Sequence, residues 1–324
     1  MLKFNLRRRV IVWLTISIMA TIVIVTTGLS KLEGLPVVAI ANYGPHASLQ
    51  ELIDGVKEQL QNEVKFKEAD VNFEQTLIIQ MLYKLKANKP KVMVTMGTPI
   101  TQAAKNLIKD IPIVFAAVTD PVDAGLITER NKPHTNLTGV SDSQDLKIFM
   151  AFVKTLMPDA KSIGLLYATS ETNDATLVKM MQTAAELYDM EVVAVPVEQS
   201  RDIPLRMQLL NGTVDLIYVG VSGTIAPSLP TIVAEADRMQ IPIFSAHEEA
   251  VLNNYVVGSF GVSYRKLGNR VGDIIKLILQ GEDIKNIEVV YPDLSDYQGF
   301  ISKQRAAQFN INLPDNLNNV TIVE

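Results

Sequence analysis

The residues best placed to do chemistry in this chain are polar side chains that directly follow apolar, strand-like runs. Thr119-Asp120 ends the run 111–118, and Ser141-Asp142 ends the next short one. Open α/β sheets bind their ligands outside the carboxyl ends of the strands. We therefore expect a ligand cleft here, at a crossing between two lobes.

The same pattern recurs at other strand ends, and together these positions would line one cleft. Hydroxyls, free N–H groups at helix starts and a few carboxylates suit a small polar ligand. The carboxylates of Asp120, Asp142 and Glu171 could meet an ammonium group, and Tyr43 and Phe244 could form an apolar wall. Each position taken alone can also be explained as a helix cap or turn residue. The predicted ligand-binding residues are Tyr43, His46, Thr98, Thr119, Asp120, Ser141, Asp142, Ser170, Glu171, Asn173, Ser222, Thr224 and Ser245.

Enzyme motifs are incomplete throughout the chain. The segment 220–224 contains Ser222 but ends in Thr224, so the nucleophile-elbow pattern is broken. Neither a P-loop nor a dinucleotide-binding glycine pattern is present. We therefore predict a protein that is not an enzyme, with no catalytic residues and no cofactor.

Metal chemistry is also not predicted from the sequence. The chain has no cysteine, and its three histidines, His46, His134 and His247, are far apart in the sequence. Zinc sites commonly use ligands that are clustered in the sequence. His247-Glu248-Glu249 lacks the second histidine of a zinc helix, and its pattern favours a solvated helix start.

Composition limits the class of partner. The 324 residues are 48% hydrophobic and 20% charged, which is enough for a sizeable core, and the formal net charge is −5. Nucleic-acid binding requires a basic face, so the negative net charge argues against a nucleic-acid partner.

The N-terminus predicts export. Four basic residues lie within 1–9, and 10–28 is almost entirely apolar. This order is typical of a signal peptide, and a run of this length is also just long enough to span a bilayer. Residues 1–30 are therefore predicted to be a signal peptide or an N-terminal membrane anchor, a transmembrane helix with the bulk of the chain outside. Both alternatives stay open.

After residue 35, short apolar strands alternate with amphipathic helices, including an expected helix from Phe73 to Leu85 and a strand from Ile287 to Tyr291. This alternation predicts βαβ units and parallel sheets. The expected fold is α/β, with two Rossmann-like lobes joined by a hinge. We assign 35–140 and a returning segment at about 262–285 to lobe 1, 141–261 to lobe 2, and 286–324 to a crossing strand and C-terminal helix or tail.

Several motifs carry a family resemblance. They are the runs Pro112–Leu126 and Asn136–Ser141, with His46, Gly97-Thr98-Pro99 and Ser170-Glu171-Thr172-Asn173 in support. On these motifs the chain resembles the ABC transporter substrate-binding protein family that includes tryptophan- and tyrosine-binding members. The resemblance implies a periplasmic binding protein type I-like fold. It also implies capture of a small solute, often an aromatic amino acid, and delivery to a membrane permease and its ATPase.

The resemblance further implies which loops contact the ligand, and the chain departs from the family in two places. The contact loops fall on Thr98, Thr119-Asp120, Asp142, Ser170-Glu171 and 220–224. Where the family commonly has Thr-Asp-Asn, this chain has Val221-Ser222-Gly223, which removes a carboxylate that could hold an ammonium group. The absence of a lipid-anchor cysteine suggests a free periplasmic or membrane-tethered protein rather than a lipoprotein.

The sequence thus predicts an exported, periplasmic solute-binding protein of an ABC importer, with an amino acid among the candidate solutes. Its expected partners are the solute, the ABC permease and the ATPase, with the membrane as a further contact if residues 10–28 are retained. The alternative is a ligand-sensing or docking protein of the same fold in a signalling system.

Overall fold

The structure is a computed structural model that describes residues 34–314, 317 and 319–324. The predicted signal peptide or anchor at 1–30 lies outside this part of the chain. Within it, every helix is too short or too polar to cross a membrane.

The first lobe is built on a parallel five-stranded sheet. Its strands are β1 (Val37–Asn42), β2 (Lys65–Asp70), β3 (Val92–Met96), β4 (Ile113–Val118) and β5 (Leu137–Ser141). Their order across the sheet is β2-β1-β3-β4-β5, and every neighbouring pair is parallel. The connecting helices are α1 (Ala47–Leu60), α2 (Ile78–Lys86) and α3 (Thr98–Leu107).

The second lobe has a seven-stranded sheet. Its strands are β6 (Ser162–Ala168), β7 (Glu191–Val197), β8 (Leu216–Val219), β9 (Ile243–Ser245), β10 (Gly258–Val262), β11 (Tyr297–Ser302) and β12 (Val320–Val323). The order is β12-β11-β10-β9-β8-β6-β7, and only the β10–β11 pair is antiparallel. The remaining helices are α4 (Leu146–Leu156), α5 (Thr172–Glu186), α6 (Ile203–Met207), α7 (Leu229–Met239), α8 (Glu248–Leu252), α9 (Tyr264–Leu279) and α10 (Lys303–Gln308).

The chain crosses between the lobes three times. It leaves the first lobe after β5, returns between β10 and α9, and leaves again between Val290, which bridges to Val140, and β11. Each sheet has a hydrophobic cluster on both faces, as expected for parallel strands covered by helices. The predicted α/β class, with two Rossmann-like lobes and mainly parallel sheets, is confirmed.

Two predicted elements differ from the structure. The helix expected from Phe73 begins only at Ile78, after a 3₁₀ turn. Asn72 and Phe73 have φ values of 49° and 62°, and this left-handed backbone cannot start a helix. The strand expected at 287–291 is a single bridge at Val290, because the segment passes β5 and then departs for the second lobe.

The contact between α1 and α9 in the first lobe depends on glycine. A Cβ built on Gly268 would lie 2.2 Å from the carbonyl oxygen of Leu52 and 3.0 Å from Cα of Gly55. Those neighbours are backbone atoms, which can give way only if the helices separate. The two helices therefore pack with their backbones in close contact.

We expect Gly268→Ala to lower the free energy of unfolding by about 1–3 kcal/mol, the usual cost of overpacking. Urea denaturation followed by circular dichroism measures this change. Leu277→Ala, on the exposed face of the same helix (44% exposed), is the matched control and should have little effect. Equal stabilities for Gly268→Ala and the unmodified protein would contradict the close helix contact.

Candidate functional site

A pocket lies between the two lobes, and the space within it is about 490 Å³ when the part open to solvent is included. The first lobe contributes the loop after β1, the start of α3 and the end of β4. The second lobe contributes the start of α5 and the loop after β8. Both sheets therefore present their carboxyl ends to one cleft, as the strand-end pattern predicts.

Aromatic rings form one wall of the cavity. Tyr43 follows β1 directly, and the edge of its ring meets Phe73, with 5.6 Å between the ring centroids. The backbone N–H of Phe73 donates to the carbonyl of Tyr43 over 2.8 Å, which fixes the two loops together. Tyr264, at the first position of α9, adds a third ring. Such a wall suits a flat apolar group.

The first lobe also offers backbone and hydroxyl donors at the start of α3. Gly97 has a φ of 94°, a conformation that favours glycine, and it leads directly into Thr98 and Pro99 at the cavity. A helix N-terminus carries unpaired N–H groups and partial positive charge. This end of the cavity can therefore bind a carboxylate or another anionic group.

The end of β4 contains a bulge that shapes the same wall. The register with β5 shifts between Ala116 and Val118, and Ala117 has a φ of 51°. Bulges redirect the side chains around them. Ala117 and Thr119 both line the cavity as a result.

The second lobe contributes a buried carboxylate, Glu171, which is 3% exposed. Its Oε1 accepts a hydrogen bond from the Thr224 hydroxyl over 2.7 Å, and its Oε2 accepts one from the Gly223 N–H over 3.1 Å. These two donors hold the carboxylate at the cavity wall.

A second carboxyl, Asp174, lies behind Glu171 in the first turn of α5, the helix that Glu171 directly precedes. It accepts hydrogen bonds from the Ala168 N–H over 2.6 Å and from the Ser222 hydroxyl over 2.8 Å. Burial, and then the charge of Glu171, raise the pKa of Asp174 well above its usual range. Burial and Glu171 also raise the pKa of Tyr43 to about 12.

Glu171 and Asp174 have no basic partner among the residues that the structure describes. A buried carboxylate without a compensating cation is energetically costly. Because Glu171 faces the cavity, a positively charged group on a bound solute would supply the missing partner.

The structure places seven of the thirteen predicted ligand-binding residues at the cavity. They are Tyr43, His46, Thr98, Thr119, Glu171, Asn173 and Ser222. An eighth, Thr224, holds Glu171 in place through its hydroxyl.

The other predicted residues lie away from the cavity lining. Asp120 caps its own turn by accepting from the N–H groups of Val122 and Asp123. Ser170 is exposed, and Ser141 and Ser245 are fully buried, with their hydroxyls donating to carbonyls at the ends of β4 and β8. These side chains have the capping and turn roles that remained as the alternative explanation.

Phe244 and Asp142 are buried behind the site. The expectation that Phe244 forms the apolar wall is wrong, because it is fully buried and packs against Phe149 and Phe152 in the second lobe. Asp142 accepts a hydrogen bond from the Tyr264 hydroxyl over 2.7 Å at the crossing after β5, and burial raises the pKa of Asp142.

Sequence reasoning missed several residues at the site. Ser48 and Phe73 line the cavity without belonging to a strand-end motif, whereas Gly223, which also lines it, belongs to the predicted contact loop 220–224. The interpretation of His247 as a solvated helix start is wrong, because the side chain is 3% exposed and lies at the cavity. Burial, and then the nearby His46, lower the pKa of His247. The sequence signal for His247 is the apolar run before Ser245, which places this histidine just after the end of a strand.

Direct contacts across the cleft show that the lobes are closed on each other. The Tyr43 ring lies against Gly223 of the opposite lobe, so closely that a Cβ on Gly223 would be 2.1 Å from Cε1 of the ring. The Ser48 hydroxyl is 2.8 Å from Nδ1 of His247, and at the outer edge Thr176 donates to Asp123.

The profile of the ABC transporter substrate binding protein family matches residues 37–322 of this chain. A tyrosine-binding protein of Clostridioides difficile is 33% identical over 266 residues, which is 82% of this chain and 76% of that protein.

Two solved structures add a comparison of lobe positions. A domain from Streptococcus pneumoniae in complex with L-Trp has a TM-score of 0.82 at 27% identity, covering 87% of this chain and 97% of that chain. The second is the ligand-free, open structure of a substrate-binding protein with adhesive properties from Clostridium difficile. Its TM-score is 0.69 at 26% identity, and the match covers 90% of this chain and 99% of that chain. The better overlap with the L-Trp complex agrees with the closed lobes described above. A periplasmic ribose ABC transporter protein of Conexibacter woesei, at 13% identity, and an ABC transporter solute-binding protein of Bacillus halodurans, at 14%, share the fold alone.

Proposed function

The chain belongs to the ABC transporter substrate-binding protein family, and we propose that its solute is an aromatic amino acid, bound between the lobes and delivered to the permease. The observation that carries this proposal is Glu171, a buried carboxylate at the cavity wall with no basic partner among the described residues.

The three groups of an aromatic amino acid match three parts of the cavity. Its ammonium would pair with Glu171, which two donors hold in place. Its carboxylate would lie at the start of α3, near Thr98. Its ring would lie along the wall formed by Tyr43 and Phe73. Relatives support this choice, since one is a tyrosine-binding protein and another was solved with L-Trp.

Glu171 can also stand in for the carboxylate that the family motif has after β8. Val221-Ser222-Gly223 lacks the carboxylate that the family resemblance implies there. Glu171 lies directly across from that loop and accepts a hydrogen bond from its Gly223 N–H. We infer that the ammonium group binds Glu171 instead, and that the small Gly223 makes room for Tyr43.

We place the protein in the periplasm, with residues 1–30 as its export signal or membrane anchor. A family whose members bind solutes for a permease works outside the cytoplasmic membrane, and the basic and apolar N-terminus fits export. Bound solute would be released to the permease unchanged, so we expect no turnover.

The test is native mass spectrometry of protein purified without denaturation, followed by calorimetric titration with L-tyrosine, L-tryptophan, L-phenylalanine and ribose. We expect an added mass that matches an aromatic amino acid and disappears on unfolding. We also expect titration heats for aromatic amino acids and none for ribose. Binding of ribose would contradict the proposed solute class. No binding of any amino acid would also contradict it and would favour a sensing or docking role.

A further inference from the structure

We propose that the closed protein has a second site, in which His46, His247 and Glu249 bind a divalent transition-metal ion such as Zn²⁺ across the two lobes. These three side chains come from different parts of the chain. One potential ligand atom of each lies within 4.8 Å of the other two. His46 precedes α1 in the first lobe, and His247 and Glu249 belong to the segment at α8 in the second.

The distances are close to those of a coordination shell. Nδ1 of His46 lies 3.6 Å from Oε1 of Glu249, and Nδ1 of His247 lies 3.9 Å from the same oxygen. Tetrahedral zinc holds nitrogen and oxygen ligands at about 2.0–2.2 Å, which puts neighbouring ligand atoms a little over 3 Å apart. The three side chains would have to draw closer together to reach this spacing, since their ligand atoms now lie within 4.8 Å of one another.

The chemistry of the three ligand side chains determines which class of metal ion fits the site. Imidazole nitrogens suit zinc, copper, nickel and iron, whereas calcium and magnesium prefer oxygen ligands alone. Two imidazoles and one carboxylate are also a ligand set that zinc proteins use. The Ser48 hydroxyl lies 2.8 Å from Nδ1 of His247 and 3.2 Å from Oε1 of Glu249. The hydroxyl thus contacts two of the three ligands, and the Ser48 N–H donates to Nδ1 of His46 over 3.3 Å, so the ion would replace these hydrogen bonds.

The cluster lies between the solute cavity, which His46 and His247 line, and a second pocket. Glu249 and Ser48 line this second pocket, whose space is about 820 Å³ including the part open to solvent and whose wall includes Glu248 and Glu51. Glu51 pairs with Arg265 over 2.9 Å, whereas Glu248 and Glu249 have no arginine or lysine partner among the residues that the structure describes. Arg265 lines the same pocket, so the local negative charge that would attract a cation is that of Glu248 and Glu249, beside the two histidines.

A metal ion here would bind the closed form better than the open form, because the open form separates His46 from His247 and Glu249. Binding of the metal and binding of solute in the neighbouring cavity would then strengthen each other by the same factor.

The test uses full-length protein in mild detergent, purified without a polyhistidine tag and stripped with EDTA, titrated with ZnCl₂ in a calorimeter with no added solute. We expect one Zn²⁺ per chain. His46→Ala and Glu249→Gln should each weaken it about tenfold or more. His134→Ala is the matched control, since it removes the third histidine of the chain, which lies outside the cluster, and it should bind zinc normally.

Small-angle X-ray scattering gives an independent readout, in which Zn²⁺ should lower the radius of gyration of the unmodified protein but not of His46→Ala. Glu249→Gln and His46→Ala change partly exposed side chains, so both should fold even if His247→Ala does not. No zinc binding, or binding that these two variants leave unchanged, would overturn the proposal. Zinc binding without any response to amino acids would leave the metal site standing and contradict only the proposed solute.

Discussion

Glu171→Gln should weaken binding of an aromatic amino acid by about 30-fold or more. The substitution keeps the size of the side chain but removes the negative charge that faces the cavity. Removing one member of a buried, hydrogen-bonded charge pair costs about 2–5 kcal/mol, and the lower end of that range corresponds to the 30-fold loss. Calorimetric titration with L-tyrosine or L-tryptophan measures the change.

A ligand analogue makes the Glu171 experiment specific for the ammonium group. The compound 3-(4-hydroxyphenyl)propionate has the ring and carboxylate of tyrosine but no ammonium. The unmodified protein should strongly prefer tyrosine to this analogue, and Glu171→Gln should lose that preference. Glu186→Gln, at the exposed far end of α5, is the control and should bind normally. An undiminished preference for tyrosine in Glu171→Gln would show that another group holds the ammonium.

Gly223→Ala should prevent full closure of the lobes while leaving each lobe folded. The added Cβ would lie 2.1 Å from Cε1 and 2.8 Å from Cδ1 of the Tyr43 ring. That ring is held in place by Phe73, and Gly223 belongs to the opposite lobe, so opening the cleft relieves the clash. We expect a loss of about 5- to 150-fold in solute affinity, the equivalent of about 1–3 kcal/mol.

The double variant Tyr43→Ala/Gly223→Ala separates this steric effect from other causes. When Tyr43 is already alanine, the methyl group added at position 223 has no aromatic ring to clash with. The double variant should therefore bind solute nearly as well as Tyr43→Ala alone. Scattering should show that single Gly223→Ala stays open at solute concentrations that close the unmodified protein. Gly34→Ala adds a methyl group in open space and should behave like the unmodified protein. Closure of Gly223→Ala to the same radius of gyration would contradict the predicted clash.

Much of the fold could be predicted from the sequence because periodicity and burial are local properties. Fully buried runs such as Val92–Met96 read as strands, and their alternation with amphipathic helices predicts parallel sheets. The prediction failed where backbone conformation overrode the pattern. At Asn72 and Phe73 two left-handed residues delay a helix that the apolar spacing would start earlier.

The candidate site was only partly predictable, because strand-end position does not determine where a side chain points. Glu171 and Asp120 both follow apolar strands, and both carry a carboxylate. Glu171 faces the cavity and accepts bonds from the neighbouring loop, whereas Asp120 turns back to cap its own turn. The difference comes from the loop after β8, whose Gly223 donates to Glu171 from 52 residues away in the chain.

The sequence by itself determined the α/β class, the two-lobed organisation and the family, since these depend on local patterns and contiguous motifs. The tertiary structure alone decided which residues of the two lobes contact each other. It placed His46 beside His247, with 4.4 Å between their rings, and Gly223 beneath Tyr43. These pairs join opposite lobes across a sequence separation of about 200 and 180 residues. The physical reason is that closure of two lobes creates contacts that no local pattern encodes.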